Sequence, residues 1–463
     1  MKLISLFVCF SLFYSTLTAQ PGELSAGAAK VSISPPPGTP MAGYYYHRIM
    51  EGVHDDLFAR ALVLESGDTK IAWAECDLIG INAQIVARAR RIVAEKYGFR
   101  PDQVMIGATH SHTGPVIPGF REQFAPRQPA VDMIDAYAAG LPEKIAAAIG
   151  EAYSKREPAS LLVGTAMEES VSFNRRYFMK DGSVGWNPGK NNPAVYKPAG
   201  PIDPQIGVLF AVNRKGEYIS SLVNFALHLD CVGGTYISAD IPATLDACLS
   251  AALGKNMTVI FSQGCSGNIN HVNTNEERKQ SGPSEAERIG KILAGDVIRA
   301  STQCDTVVQA GIRHLQATAL LPLASFPKDS LGWARQVVGR YGKAGAAPFL
   351  DFVKAFKYLD LASRDGKPLE AEVQVFTIGK DLAIVALPAE VFTELGMYIK
   401  RRSPFRYTFV TTQTNASLGY LPDYKAYAEG NYEPLVSRAA AGGGEKLADT
   451  AVRLLYQLKS SVN

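Results

Sequence analysis

Two histidines one residue apart, His110 and His112, follow the apolar run Val104–Ala108 and open the turn Thr113-Gly114-Pro115. Imidazole is the usual zinc ligand, and two of them in one turn can face a single cleft. Loop histidines bonded to backbone groups would give the same pattern. His228 closes a second apolar run, Leu222-Val223-Asn224-Phe225-Ala226-Leu227, where a lone histidine is ordinarily structural. Glu390 follows a third, in Leu387-Pro388-Ala389-Glu390, and as the opening of a helix it would favour the helix dipole. Tyr420 and Tyr432 fall in or near the aromatic stretch Gly419–Tyr424, which packing alone explains. The segment Gln263-Gly264-Cys265-Ser266-Gly267 loosely resembles a nucleophile elbow but lacks Gly-x-Ser-x-Gly, so a serine hydrolase is weakly supported.

The elements that must hold these residues alternate along the chain. Ile71–Cys76, Val104–Ala108, Ile206–Val212, Tyr218–Ala226, Met257–Phe261 and Tyr407–Thr411 read as strands, and Glu372–Ile378 with Leu382–Ala386 as a hairpin-like pair. Gln84–Tyr97 places Ile85, Ala89, Ile92 and Val93 at helical spacing between arginines. Ile134–Tyr153, Ala243–Leu253, Ala286–Ala300 and Ala389–Arg401 also read as helices, and Ser34–Gly38 as coil. The alternation predicts an α/β protein, a mixed sheet core with flanking helices. Residues 21–463 are expected to form one large domain, with a helical insertion over about 326–367.

Composition narrows the function classes. The 463 residues are 47% hydrophobic and 20% charged, with net charge +3 and no basic run, which argues against nucleic acid and acidic membrane surfaces as partners. Residues 1–20 carry Lys2, an apolar stretch Leu3–Tyr14 and the small residues Thr18-Ala19, the pattern of a signal peptide, so an exported chain, periplasmic or secreted, is expected. The apolar stretch is shorter than the ~20 residues that span a bilayer, and no transmembrane segment is expected after cleavage. Cys9 lies inside that stretch, an unsuitable place for a lipid anchor. Cys76, Cys231, Cys248, Cys265 and Cys304 are an odd, widely spaced set without Cys-x-x-Cys, better read as buried small residues than as a disulfide framework or thiolate site.

Taken in order, the motifs resemble the neutral/alkaline non-lysosomal ceramidase family. The family's Gly-Thr-His-Thr-His-Ser-Gly-Pro is similar to Ala108-Thr109-His110-Ser111-His112-Thr113-Gly114-Pro115. Its Phe-Ala-x-His is matched by Phe225–His228 with Ser238-Ala239-Asp240 after it, and its Pro-Gly-Glu-x-x-Thr by Pro388–Thr393. Its paired late tyrosines are matched by Tyr420 and Tyr432-Glu433. The resemblance runs from about Gly27 to Leu455. It implies a zinc ion held by His110, His228, Glu390 and Tyr420, a nitrogen and oxygen set that suits Zn²⁺ without thiolate. It further implies that His112 acts as acid/base or oxyanion donor, with Tyr432 and Arg175 lining the substrate pocket, although an arginine such as Arg175 could also be a plain surface residue. Two departures bear on substrate. Asn270 stands where the family has a functional serine, and the sequence reads as a single-domain member without the immunoglobulin-like domain.

The expectation is therefore a zinc-dependent amidohydrolase in which metal-activated water attacks an N-acyl bond. An esterase or deacetylase acting on an acylated sugar or another small exported substrate is the alternative, and a non-catalytic binding protein on the same scaffold the third reading. The partner in the first two is a small-molecule, lipid or glycan acyl compound.

Overall fold

The computed structural model describes residues 23–119, 130–308, 311–341 and 347–460. The leader expected at residues 1–20, with Cys9, lies outside them. Strands β1 (Leu24–Ser32), β2 (Phe58–Ser66), β3 (Thr69–Cys76), β4 (Val104–Ala108), β5 (Glu157–Met167), β6 (Gln205–Asn213), β7 (Tyr218–Phe225) and β8 (Thr258–Gln263) form one sheet in the order β8-β7-β6-β5-β1-β2-β3-β4. Asp305–Thr306 adds a ninth, short strand against β5. Strands β9 (Ile312–Leu321), β10 (Leu369–Ile378), β11 (Leu382–Ala386) and β12 (Tyr407–Thr411) form a second sheet in that order. Most neighbours are antiparallel, but β3 with β4, β7 with β8, and β11 with β12 run parallel. The sheet core is mixed, as the alternation predicts.

The two sheets face each other across an apolar layer that includes Leu62, Trp73, Leu209 and Ile260 from the first and Phe376, Ile384 and Phe409 from the second. Each outer face is covered by helices. Helices α1 (Ala83–Tyr97) and α2 (Ala130–Ser154) pack on β1 to β4, and α3 (Ile241–Leu253) and α4 (Pro283–Ser301) on β6 to β8. After α5 (Leu331–Val338) and α6 (Phe349–Ser363), helices α7 (Thr393–Arg402) and α8 (Gly443–Ser460) cover the second sheet. The result is a helix–sheet–sheet–helix sandwich. Strands such as β4 and β11 are buried at all five positions, which is why they read as unbroken apolar runs rather than alternating ones. Helix α1 starts where the Asn82 side chain accepts from the Ile85 amide and stops at left-handed Gly98.

Helices α5 and α6 interrupt a β-hairpin, since β9 and β10 pair from Ile312↔Ile378 to Leu321↔Leu369. One boundary differs from the sequence reading in a way that matters. The helix expected over Ala389–Arg401 begins only at Thr393, so Glu390 lies before it and Glu394 occupies its acidic first turn. The five cysteines Cys76, Cys231, Cys248, Cys265 and Cys304 are free thiols, the first two and Cys265 buried. Among the described residues no helix is long and apolar enough to cross a membrane.

Candidate metal centre

Each of the three parallel strand pairs in the two main sheets delivers a residue to one place. His110 lies two residues past the end of β4, His228 three past β7, and Glu390 four past β11. The carboxyl ends of neighbouring parallel strands leave a crevice where α/β folds place their ligands. The loop carrying His110 is held in an unusual shape: His110 has φ 71°, sparsely populated for a residue with a side chain, while its amide donates to Leu78 O at 2.9 Å. The His112 amide donates to Leu229 O at 3.1 Å, which ties the first histidine loop to the second. Glu390 reaches the cluster through a two-residue parallel ladder, with Glu390 opposite Tyr420.

The nitrogens converge. His110 Nε2 lies 3.1 Å from His228 Nε2 and 3.3 Å from His112 Nε2. Glu390 Oε2 is 3.4 Å from His110 Nε2 and 3.6 Å from His228 Nε2, and it accepts no hydrogen bond. Tautomers follow from the far side of each ring. His110 Nδ1 is 2.6 Å from Ile79 O and His228 Nδ1 is 2.9 Å from Ser266 O, so both Nδ1 atoms donate to carbonyls and both Nε2 lone pairs face inward. Two inward lone pairs 3.1 Å apart beside an unpartnered carboxylate oxygen make a concentrated acceptor set. The Arg175 guanidinium meets only its His228 edge, at 3.4 Å, and a metal ion among the donors would relieve the repulsion. Backbone carbonyls that fix the outer nitrogen are also the usual support for ligating histidines. His110, His112 and His228 offer nitrogens all within 4.8 Å of one another. The donor set therefore fits a divalent metal ion.

Burial shapes the protonation of the group. It pushes the His112 imidazole down to about 3, helped by His110, and lowers His228 well below its ordinary value, helped by Arg175. Burial alone would raise Glu390, but His110, Tyr420 and Arg175 outweigh it and hold the carboxyl below its usual range. The phenols of Tyr420 and Tyr432 are both raised well above theirs, first by burial. At neutral pH His112 and His228 are thus neutral, Glu390 is a carboxylate, and the two phenols keep their protons.

All eight residues singled out from the sequence are placed. His110, His112, Glu390, Tyr420 and Tyr432 line one cleft, a cavity of about 90 Å³ that opens in part to solvent. His228 lies behind it against His110. Arg175, only 5% exposed, is held by Glu433 Oε1 at 2.8 Å and Gly267 O at 2.7 Å, and its guanidinium reaches 3.4 Å from His228 Nε2. That burial removes the surface reading of Arg175. Asn270 is buried in a short ladder opposite Phe173, where its amide donates to Asn187 Oδ1 and its carbonyl accepts from the Val272 amide. Its side chain is engaged there rather than with the histidines. Sequence reasoning passed over Tyr45, Lys357 and Arg438, which also line the cleft, and Trp186, whose ring stacks on Tyr432 at 4.4 Å. Only Tyr45, in the run Tyr44-Tyr45-Tyr46, carried a visible signal, an aromatic cluster just after a glycine.

Residues 25–241 match the family described as neutral/alkaline non-lysosomal ceramidase, N-terminal. His110, His112, Arg175 and His228 fall within the matched segment; Glu390, Tyr420 and Tyr432 lie beyond it. The fold is similar to that of neutral ceramidase from Pseudomonas aeruginosa, at 18% identity and TM-score 0.72, covering 96% of this chain and 75% of that one. It is also similar to a structure described as ceramidase complexed with C2, at 17% identity and TM-score 0.71, covering 95% of this chain and 76% of that one.

Proposed function

From the premise that this chain is a relative of the neutral/alkaline ceramidases, we propose that it is an exported, zinc-dependent hydrolase cleaving an N-acyl bond. The observation that carries this reading is the convergence of two inward Nε2 lone pairs with the unpartnered Glu390 Oε2. His110, His228, Glu390 and Tyr420 would hold the metal, and zinc suits a set of imidazole, carboxylate and phenol oxygen without thiolate. When bound, the ion polarises the acyl carbonyl and acidifies a water molecule. The chain's own residues do the rest. His112 has a buried Nδ1 without a hydrogen-bond partner, the free nitrogen through which it would pass a proton from the attacking water to the departing amine nitrogen. Tyr432 keeps its phenolic proton and donates to the oxygen on which charge develops. Arg175 is a positioning residue, bracing Tyr420 and His228 from behind. Residues 21–463 act as one hydrolase domain after removal of the 1–20 leader.

The test is product release by the purified, zinc-loaded mature chain from ceramide, short N-acyl amines, N-acetylated sugars and O-acetylated sugars. Release of an amine with its acid supports the amidase. Release only from the O-acetylated sugar moves the assignment to an esterase. His228→Ala should lose both bound zinc and turnover, and retention of either sinks the assignment.

A further inference from the structure

The cleft contains positive charge that amide hydrolysis does not need. On α6, Phe349, Val353, Phe356, Lys357 and Asp360 follow helical spacing along one face, and Val353, Phe356 and Lys357 line the cleft. At the aromatic end Phe349 lies 5.7 Å from Tyr432 and 5.2 Å from Tyr45, ring to ring. At the other end stands Lys357, with no carboxylate within ion-pair distance and no hydrogen-bond partner among the described residues. The charged groups it feels are Arg438 and Lys354, both cationic. Arg438 also lines the cleft, and its Nε donates to Asp360 Oδ2 at 2.8 Å. The same Asp360 oxygen accepts from Arg364 Nε at 2.8 Å, so this carboxylate is paired with two guanidiniums and makes no ion pair with Lys357. The cationic wall begins beside the metal centre: a Cβ on Gly419, the residue before Tyr420, would meet Arg438 Nη1 at 2.9 Å.

Holding an ammonium half out of water beside a second cation, with no counter-charge, is costly unless something compensates it. We propose that the substrate of this site carries an oxyanion, a carboxylate, phosphate or sulfate, held between Lys357 and Arg438, while its apolar part lies against Tyr45 and Tyr432. The inference rests on the acyl-hydrolase reading and adds the substrate class: an acyl compound with an anionic group a short distance from the scissile carbonyl. Burial and Arg438 push the Lys357 ammonium down to about 8, which leaves it mainly charged at neutral pH. An incoming anion would stabilise that charge further.

Binding to the chelator-stripped mature chain separates this inference from turnover. Titration calorimetry with N-octanoylglycine, octyl phosphate and neutral N-octanoylglycinamide should show the anionic compounds binding about tenfold tighter or more, as a charge-assisted contact gives. The order of carboxylate and phosphate then identifies the preferred oxyanion. Lys357→Met should erase the difference, and Lys357→Arg should restore most of it. Equal binding of charged and neutral compounds, or no binding of any, overturns the anion site, as does a Lys357→Met chain that keeps the preference. Failure of the zinc-loaded chain to release product would instead strike the hydrolase reading and leave the binding result standing.

Discussion

Glu390 and Tyr420 are register partners: Glu390–Val391 and Tyr420–Leu421 pair in parallel, and the two side chains are hydrogen-bonded. The backbone closes the ladder through Glu390 N to Gly419 O at 2.9 Å and Phe392 N to Leu421 O at 3.1 Å. A carboxylate and a phenol thirty residues apart are thereby fixed side by side, one just before α7 and the other in the late aromatic loop. Neither position is set by its own local sequence.

That pairing predicts a graded effect of substitution on metal content. Glu390→Gln removes the carboxylate that lies 3.4 and 3.6 Å from the two inward nitrogens and should abolish zinc at stoichiometric loading, measured by elemental analysis. Tyr420→Phe leaves the other three donors in place and should weaken zinc affinity by roughly 10- to 100-fold, the range seen when one supporting contact of a metal site is lost. Equal zinc content in both variants and the parent chain would remove these residues from the ligand set.

The support behind the site is ionic. Glu433 is fully buried, with Oε1 2.8 Å from Arg175 Nε and Oε2 2.9 Å from Arg176 Nη1. Glu433→Gln takes the paired carboxylate from buried Arg175, leaves Arg176 with Glu429 alone, and should cost about 3–5 kcal/mol in denaturant unfolding. Glu429→Gln touches only Arg176 from a less buried position and should cost far less. Because Arg175 braces His228 and Tyr420, the Glu433 variant should also lose zinc affinity, whereas a purely structural Glu433 would leave it unchanged.

A buried acid gives the fold a pH dependence. Glu75 at the end of β3 is raised from 4.5 to about 8, chiefly by burial. Its Oε1 accepts from Trp73 Nε1 at 2.8 Å, while Oε2 has no partner. Between those two values the folded state holds a proton that the unfolded state has released. This contribution is therefore fully present below about 4.5 and lost as pH rises through about 8. Glu75→Gln keeps the Trp73 contact and removes the titration. The stability difference between variant and parent should grow by several kcal/mol from pH 4.5 to pH 8, followed by denaturant unfolding, and a flat difference would place the acid elsewhere.

Much of this centre was legible one residue at a time. His110 and His228 are visible because each follows an unbroken apolar strand, and burial on both faces writes that pattern into β4 and β7. The mixed sheet core follows from the alternation of such strands with helical spacing. The division into two stacked sheets does not, because a strand buried between sheets and one buried under a helix have the same composition. Strands β1, β2, β5 and β9 escaped notice where small or charged residues such as Lys30, Arg60 and Glu65 interrupt the apolar run. Glu390 reads as the opening of a helix because its ladder partner is distant in sequence. Lys357 and Arg438 gave no signal at all, since a lysine on an amphipathic helix ordinarily faces water.

The Gly43 loop offers a way to separate the role of His112 from that of the proposed metal ligands. Gly43 has φ 108°, and a Cβ there would lie 2.2 Å from His112 O and 2.6 Å from His112 Cα. The same carbonyl accepts from Arg48 Nη2 at 2.6 Å, so the Gly43 loop presses directly on the backbone of His112. Gly43→Ala must displace that backbone, both for lack of room and because the left-handed region disfavours a side chain. His110 and His228 are fixed independently by Ile79 O and Ser266 O. If His112 moves protons without holding the metal, the variant should retain stoichiometric zinc while turnover falls about tenfold or more, within the share that a positioned acid/base supplies. Zinc content falling in step with turnover would make His112 a third nitrogen ligand, an arrangement that the 3.3 Å approach of its Nε2 to His110 Nε2 permits.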